Sequence, residues 1–196
     1  MRAWGGLYIQ ANTLILSALA GAATVAFFGG AERIIRAAIN LLQPLTQVFL
    51  PRVSYLHAAD PPAARRMIRQ ALVGVGGMGA VMGLTAFVGA PVLVRVLLGS
   101  GYDAAIPVLR LLGLLPFLIA VNTVLGIYWA LPFGHERSVL VSIVSAGVTN
   151  VALAALLVPR WGAAGMAASA IVAEVVVLAL LVALYTRHGR RGPHGA

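Results

Sequence analysis

Apolar runs long enough to cross a membrane alternate along the chain with short polar or arginine-containing segments. We predict six membrane-spanning helices, each near or above the roughly 20 residues that a crossing requires. Their ranges are about 6–28, 31–56, 70–90, 104–130, 139–158 and 161–185, with a short apolar segment at 91–98 after the third. The pattern therefore predicts an all-α membrane protein, a six-transmembrane-helix bundle over residues 1–186 followed by a disordered basic tail over 187–196.

A line of polar residues runs through the second predicted span, at steps of four, three and four: Arg36, Asn40, Gln43 and Gln47. On a helix of 3.6 residues per turn, these steps place all four side chains on one face. Glu32 lies one turn earlier on that face. Pro44 stands in the middle of the span, where it removes a backbone hydrogen bond and is expected to kink the helix.

This polar face is costly to expose to lipid, because a charged side chain at the bilayer centre costs about 2.5–3.5 kcal/mol. Such residues usually face the interior of a bundle or a wet cavity, so the face can line a path for a polar solute. In the other interpretation, Arg36 extends to the nearer membrane surface and the amides bond to neighbouring helices. The pattern alone leaves both open.

Composition supports the membrane assignment and limits the chemistry. Of the 196 residues, 61% are hydrophobic and 10% are charged, where soluble domains average about 25% charged. The absence of cysteine excludes disulfides and thiolate metal sites. The net charge of +9 comes entirely from arginines, which lie mainly at the ends of apolar runs. We therefore relate it to membrane orientation rather than to nucleic-acid binding.

Arginines are unequally divided between the two sides of the predicted bundle. The segment 52–69, the basic tail, Arg2 and Arg137 fall on one side, which should be cytoplasmic and should hold both termini. The first span could instead be a signal peptide, because residues 18–20 (Ala-Leu-Ala) imitate a cleavage site. Its apolar run continues to Phe28, which favours a membrane span.

Polar residues form further stripes, whose hydroxyls either join helices or bond to their own backbone carbonyls. They are Gln10, Thr13, Ser17 and Thr24 on the first span and Ser138, Ser142, Ser145 and Thr149 on the fifth. Glycines are frequent in the third span, and residues 74–79 match the letters of a dinucleotide-binding fingerprint without the strand it requires. The pair Gly79 and Gly83 instead predicts close packing between helices.

Glu174 is the one carboxylate deep inside a predicted span. An acid at this depth is a candidate for proton or ion coupling, and the alternative is a neutral carboxyl that hydrogen-bonds another helix. There is no phosphate-binding loop and no HExxH motif, and the histidines (His57, His135, His188 and His194) lack metal-ligand spacing. We therefore expect no enzyme activity, no cofactor and no metal site.

Several short motifs, taken in order and spacing, resemble the bacterial polysaccharide-transport flippases. They include the O-antigen flippases and lie within the multidrug/oligosaccharidyl-lipid/polysaccharide exporter superfamily. The motifs are GAERIIR at 30–36, LQPLTQ at 42–47, PRVS at 51–54, LGSGY at 98–102, VLRLL at 108–112, VLG at 124–126 and LPFG at 131–134. The resemblance covers about residues 7–185.

The resemblance implies a protein of the bacterial inner membrane that moves a polyprenyl-diphosphate-linked oligosaccharide from the cytoplasmic to the periplasmic leaflet. Such proteins have two six-helix bundles around a cationic cavity, and this chain matches the C-terminal bundle alone. The implied cavity-lining residues are Arg33, Arg36, Asn40, Gln43 and Gln47, with Glu174 as the candidate for ion coupling. Implied partners are the lipid-linked oligosaccharide, membrane lipids, and an N-terminal half or a second copy, with no nucleic acid.

Two other function classes stay open. One is a non-transporting membrane scaffold or remnant, in which changes to the polar stripe alter stability or partner binding but not lipid movement. The other is a drug or lipid exporter of the same fold, which would act without dependence on a glycan.

Overall fold

The computed structural model describes residues 20–188 of the chain, and every regular element in this range is helical. The elements are α1 (Ala22–Asn40), α2 (Gln43–Ala59), α3 (Pro61–Leu97), α4 (Ala105–Leu112), α5 (Leu115–Thr123), a π-helical segment (Val124–Ala130) and α6 (Glu136–His188). Residues before 20, with Gln10, Thr13, Ser17 and most of the cleavage-like segment, lie outside the described residues. So does the basic tail from residue 189.

Three helices in the described range are long and apolar enough to cross a membrane: α3, the run Ala105–Ala130, and α6. Helix α3 has 37 residues, or about 56 Å of helix at 1.5 Å per residue, which exceeds a hydrocarbon core of about 30 Å. The predicted all-α membrane protein is confirmed. The count of six spans stays a prediction.

The second predicted span differs in the structure from its expected range of 31–56. Helix α1 continues through Gly29 and Gly30, where a boundary between two spans was expected, because Gly30 serves close packing rather than a turn. A Cβ placed on Gly30 would lie 2.8 Å from Cδ1 of Leu98. The helix instead ends at Asn40, since Pro44 has no N–H to donate to the Asn40 carbonyl.

A tight turn at residues 41–42 joins α1 to α2. The Leu41 and Leu42 amides donate to carbonyls three residues earlier, Ala38 at 3.1 Å and Ile39 at 2.9 Å. Such a turn advances about 120° per residue instead of about 100°, so the polar line is rotated where it passes from α1 to α2. The kink expected at Pro44 is therefore a helix break.

Helix α3 is longer at both ends than the predicted span 70–90. It begins at Pro61 because Asp60 caps it, with the Ala63 amide donating to Asp60 Oδ1 at 3.1 Å. At the other end it continues through Pro91, which leaves the Phe87 carbonyl without its usual donor, a loss that apolar helices packed in membranes tolerate. The apolar segment 91–98 is thus mostly the end of α3.

Close packing at Gly79 and Gly83, predicted from their spacing, is confirmed. A Cβ on Gly83 would lie 2.3 Å from the Gly113 carbonyl oxygen, and one on Gly79 would lie 2.6 Å from the Pro116 carbonyl oxygen. The crossing lies at the break between α4 and α5. Because Pro116 cannot donate to the Leu112 carbonyl, the predicted single helix 104–130 is interrupted there.

Helix α6 is two arms of a hairpin, residues 136–161 and 163–188, which we call α6a and α6b. They meet at Gly162, whose backbone (φ 53°, ψ −128°) is outside the helical region and is accessible to glycine. A Cβ on Gly165 would lie 2.5 Å from the Leu157 carbonyl oxygen, so the arms approach closely at the reversal. The predicted boundary between the fifth and sixth spans lies here.

Two apolar clusters form the core. The first lies around Phe28, Ile35, Leu109 and Met166 and joins α1 to α3, α4 and both arms of α6. The second lies around Tyr128 and Trp129 of the π-helical segment and includes Leu42 of the turn, Val53 of α2 and Ile68 of α3. Polar side chains that enter the bundle therefore lie among apolar neighbours, and the energetics of their bonds follow from that environment.

Candidate functional site

An ion pair lies on the inward side of α1. Arg36 Nη2 donates to Glu32 Oε1 at 2.6 Å, one helical turn away. Glu32 is buried, with 10% of its side chain exposed, whereas 33% of the Arg36 side chain is exposed. Within the described part of the chain, Arg36 Nε is buried and has no hydrogen-bond partner. The guanidinium is therefore only partly engaged by the protein.

A second polar pair joins α5 to α6b. Asn122 Nδ2 donates to Glu174 Oε2 at 2.8 Å and to the Glu174 carbonyl oxygen at 3.1 Å. Asn122 is 9% exposed, and its Oδ1 has no hydrogen-bond partner among the described residues. The three helices that carry these two pairs, α1, α5 and α6, contact one another. We define their polar side chains together as the polar cluster: Glu32, Arg36, Asn122 and Glu174.

The predicted polar face is divided between two helices. Arg36 and Asn40 belong to α1, whereas Gln43 and Gln47 belong to α2. The expectation of a single helix was therefore wrong, because Pro44 has no N–H with which to continue α1. Asn40, Gln43 and Gln47 are exposed, and so is Arg33. Only Arg36 among the predicted cavity-lining residues reaches into the bundle. Their role in binding a substrate stays a prediction.

A cavity of about 310 Å³ opens between α1 and α3, but the predicted site residues do not line it. Its wall is apolar apart from Thr85 and includes Ile34, Leu41, Met82 and Leu93. At about 100° per residue, Ile34 and Ala38 each lie about 160° around α1 from Arg36, so the cavity is on the other side of that helix. This cavity has no polar group suited to a diphosphate or a sugar.

The hydroxyl stripe of the fifth predicted span shows one local bond. Ser142 Oγ donates to the Ser138 carbonyl at 2.8 Å, within its own helix, as one of the two interpretations expected. A hydroxyl contact that sequence reasoning missed joins α2 to the π-helical segment. Tyr128 Oη donates to Thr46 Oγ1 at 3.0 Å, and the Tyr128 ring stacks on Phe49 with centroids 5.7 Å apart.

Three histidines make aromatic contacts: His57 of α2, His135 just before α6 and His188 at the end of α6. The His57 ring lies 3.9 Å from that of Phe133, and the His135 ring lies 5.0 Å from that of His188, between centroids. Burial, and secondarily the charge of His188, lowers the pKa of His135 below its usual range. Within residues 20–188, no group of three or more His, Asp or Glu side chains could hold a metal ion.

Two signals could have found the parts of the polar cluster that sequence reasoning missed. Glu32 and Arg36 are four residues apart, the spacing at which opposite charges on a helix pair. Asn122 is an amide inside the apolar run 115–130, and polar residues within such runs usually bond across helices. Its partner Glu174 is 52 positions away, and no periodic pattern specifies that contact.

Comparison with known proteins gives two related sequences, both named "Putative O-antigen transporter". The chain is 28% identical over 184 residues to the protein of Escherichia coli (strain K12), which covers 94% of this chain and 44% of the relative. It is 29% identical over 178 residues to the protein of Shigella dysenteriae, which covers 90% of this chain and 44% of the relative.

The chain thus spans less than half the length of these curated relatives. The resemblance seen in the motifs is confirmed, and a match to 44% of each relative is consistent with one half of such a protein. No protein-family model matches the chain. No solved structure matches it.

Proposed function

We propose that this chain forms one of the two helical bundles of a flippase. The substrate is an oligosaccharide on a polyprenyl diphosphate, which moves from the cytoplasmic to the periplasmic leaflet of the bacterial inner membrane for polysaccharide export. Similarity to two proteins named as O-antigen transporters, over at least 90% of this chain, supports the class of substrate. Three helices long and apolar enough to cross a membrane support the location.

The observation that carries this proposal is the polar cluster inside an apolar bundle, with Arg36 partly exposed at its edge. A guanidinium in a membrane domain is costly unless paired, and charged residues there commonly mark the path of a substrate or ion. The planar arginine fork binds phosphate oxygens in pairs, which suits a diphosphate. The partial exposure of the Arg36 side chain leaves its guanidinium accessible to such a ligand.

The exposed polar residues beside Arg36 indicate where the second bundle packs. Asn40, Gln43 and Gln47 point away from the core, although amides facing lipid would lack hydrogen-bond partners. They are therefore better placed against another polar surface, with which they would enclose a sugar-binding cavity. That surface belongs to the remaining part of a longer protein or to a second copy of this chain. Arg33, also exposed, would add to the positive charge of the cavity.

Glu174 is the proposed site of ion coupling. Its carboxylate accepts a hydrogen bond from Asn122, and α6 contacts α1, the helix that carries Arg36. Protonation of Glu174 or ion binding there would therefore change the electric field near the proposed phosphate site. Both termini are proposed to be cytoplasmic, since the arginine-rich segments 52–69 and 187–191 would then share the positive side.

Transport is tested by restoring surface polysaccharide in a bacterial strain that lacks its own flippase, with the complete native protein that contains this chain. Arg36→Ala should abolish the polysaccharide, and Arg36→Lys should retain a fraction, because lysine keeps the charge but loses the paired geometry. Arg95→Ala is the matched control, since Arg95 pairs with Asp103 on the surface and both side chains are more than half exposed. Wild-type polysaccharide in both Arg36 variants would refute the phosphate role.

The mass of the native protein in its membrane determines which protein to test. An antibody against residues 187–196 should detect a band of about twice 20.3 kDa if this chain is the second half of one polypeptide. A band near 20.3 kDa should instead be recovered, after crosslinking, with a second bundle. A 20.3 kDa protein that crosslinks to no second bundle and moves no lipid-linked glycan would contradict the proposal.

A further inference from the structure

Glu32 and Arg36 differ in their access to the surroundings, although they bond to each other. The Glu32 side chain is 10% exposed and that of Arg36 is 33% exposed. An incoming anion can therefore reach the guanidinium without first reaching the carboxylate. A guanidinium has five N–H donors, and the bond to Glu32 engages Nη2.

A purely structural role does not account well for this pair. An exposed pair at this spacing on a helix contributes only about 0.3–0.5 kcal/mol, and a buried one often stabilises no more than apolar residues would. Glu32 nevertheless lies in the core, where it bonds to Arg36, and among the described residues Arg36 Nε is buried without a hydrogen-bond partner. The arrangement fixes the position of one guanidinium while leaving it incompletely satisfied.

We propose that Glu32 is a resident anion that positions Arg36 and competes with the phosphate oxygens of the substrate for its guanidinium. This inference rests on the proposed function and concerns the same site. When a diphosphate binds, its oxygens take the Nη2 donor from Glu32, and the carboxylate loses its bond. When the diphosphate leaves, Glu32 bonds to Arg36 again.

Such competition suits a transporter, because a site that moves its ligand must bind it weakly enough to release it. An arginine without a counterion in a membrane bundle would hold a diphosphate tightly and would be unstable when empty. Glu32 meets both requirements, since it pairs with Arg36 in the empty site and lowers the net affinity for phosphate. Glu32 is thus a positioning residue that tunes affinity, and Arg36 is the residue that contacts the ligand.

The test measures binding of inorganic diphosphate to the purified full chain in lipid nanodiscs, by titration calorimetry at fixed salt. Glu32→Gln should bind diphosphate about tenfold more tightly than wild type, the change expected when a competing charge-assisted bond of about 1.4 kcal/mol is lost. Glu32→Asp, whose shorter side chain bonds Arg36 less well, should lie between the two. Asp103→Asn is the matched control, because Asp103 pairs with Arg95 on the surface. The affinity of this variant for diphosphate should equal that of wild type.

A second series separates this inference from the proposed function. Arg36→Gln should lose diphosphate binding in both the wild-type and the Glu32→Gln background. If Arg36→Gln loses binding but Glu32→Gln and Glu32→Asp bind no more tightly than wild type, the competition is refuted and the phosphate role of Arg36 stands. If Arg36→Gln binds as wild type does, both are refuted. Should Glu32→Gln fail to fold, the affinity of Glu32→Asp alone decides the competition.

Discussion

The hydrogen bond between Asn122 and Glu174 should contribute measurable stability, because it joins two helices inside an apolar bundle. Asn122→Leu removes both bonds from the amide, and Glu174→Met removes only the bond to the carboxylate, since the bond to the Glu174 carbonyl at 3.1 Å can persist. Both substitutions approximately keep the side-chain volume. The coupling between them therefore reports the 2.8 Å bond to the carboxylate alone.

The expected coupling energy lies where two known ranges of hydrogen-bond energy meet. Hydrogen bonds between helices in membranes average about 0.6 kcal/mol and reach about 1.7 kcal/mol. Bonds to charged groups in proteins contribute about 1.5–3 kcal/mol. Because Glu174 is only partly buried and the bond is short, we expect about 1.5 kcal/mol. Asn122→Leu alone should lower the free energy of unfolding by about 1 kcal/mol more than the coupling energy, because it also removes the bond to the Glu174 carbonyl oxygen.

The assay is reversible unfolding of the full chain in mixed micelles with increasing SDS, followed by helicity, for wild type, both single variants and the double variant. A control cycle combines Asn122→Leu with Ser142→Ala, because the Ser142 hydroxyl bonds within its own helix and should add independently. A coupling energy below about 0.5 kcal/mol, within the usual scatter of independent sites, would refute an energetic link between α5 and α6b.

Three further outcomes follow from other parts of the fold. Gly83→Ala should destabilise the bundle in the same SDS assay, because the new Cβ would lie 2.3 Å from the Gly113 carbonyl oxygen. The control Gly77→Ala, with open space around the new Cβ, should stabilise α3 by about 0.5–1 kcal/mol. Equal effects of the two substitutions on stability would contradict the close crossing at Gly83. Gly162→Ala should lower stability by about 1–3 kcal/mol, because alanine is strained at φ 53° and ψ −128°, and no loss would argue against the hairpin reversal. The NMR titration of His135 should have its midpoint below the ordinary histidine pKa, and His188→Gln should raise it by removing a positive charge. Since the pKa of His135 is lowered in the folded state, its contribution to stability should be complete above the unfolded pKa of about 6.5 and be lost as pH falls through the folded pKa. A midpoint that His188→Gln does not move would refute the effect of the His188 charge on the His135 pKa.

The sequence predicted best those features that depend on neighbouring residues. The α-helical class and the boundary between the last two predicted spans, 139–158 and 161–185, follow from the long apolar runs. The spacing of Gly79 and Gly83 predicted a close crossing, and the structure confirms it. These properties depend on local patterns that a helix repeats every few residues.

The helix boundaries were predicted less well, because the same residue type has different consequences in different surroundings. The two glycines at 29–30 were predicted to separate the first and second spans. In the structure, Gly30 allows Leu98 to pack closely, and the helix continues through both glycines. Pro44 and Pro91 both lack an N–H, yet the helix breaks before the first and passes through the second. Tertiary packing decides between these outcomes, and the local sequence does not contain it.

The polar cluster illustrates the same limit for the candidate site. Arg36 and Glu174 were recognised from their depth in apolar runs, but their partners were not, since Asn122 meets Glu174 across 52 positions. The predicted line of four polar residues combined two different environments. Arg36 enters the bundle, whereas Gln43 and Gln47 follow the break at Pro44 and stay exposed.

This division has a consequence for the proposed transport. A site made only of the buried cluster would offer one partly engaged guanidinium and few groups for sugar hydroxyls. The exposed amides of Asn40, Gln43 and Gln47 supply such groups, but they form a cavity only when another polar surface faces them. In the proposed flippase, the buried cluster therefore sets charge and ion coupling, and the interface between the two bundles sets which glycan is accepted. Substitutions in the cluster should then change transport of every substrate alike, whereas substitutions of the exposed amides should change the preference among glycans.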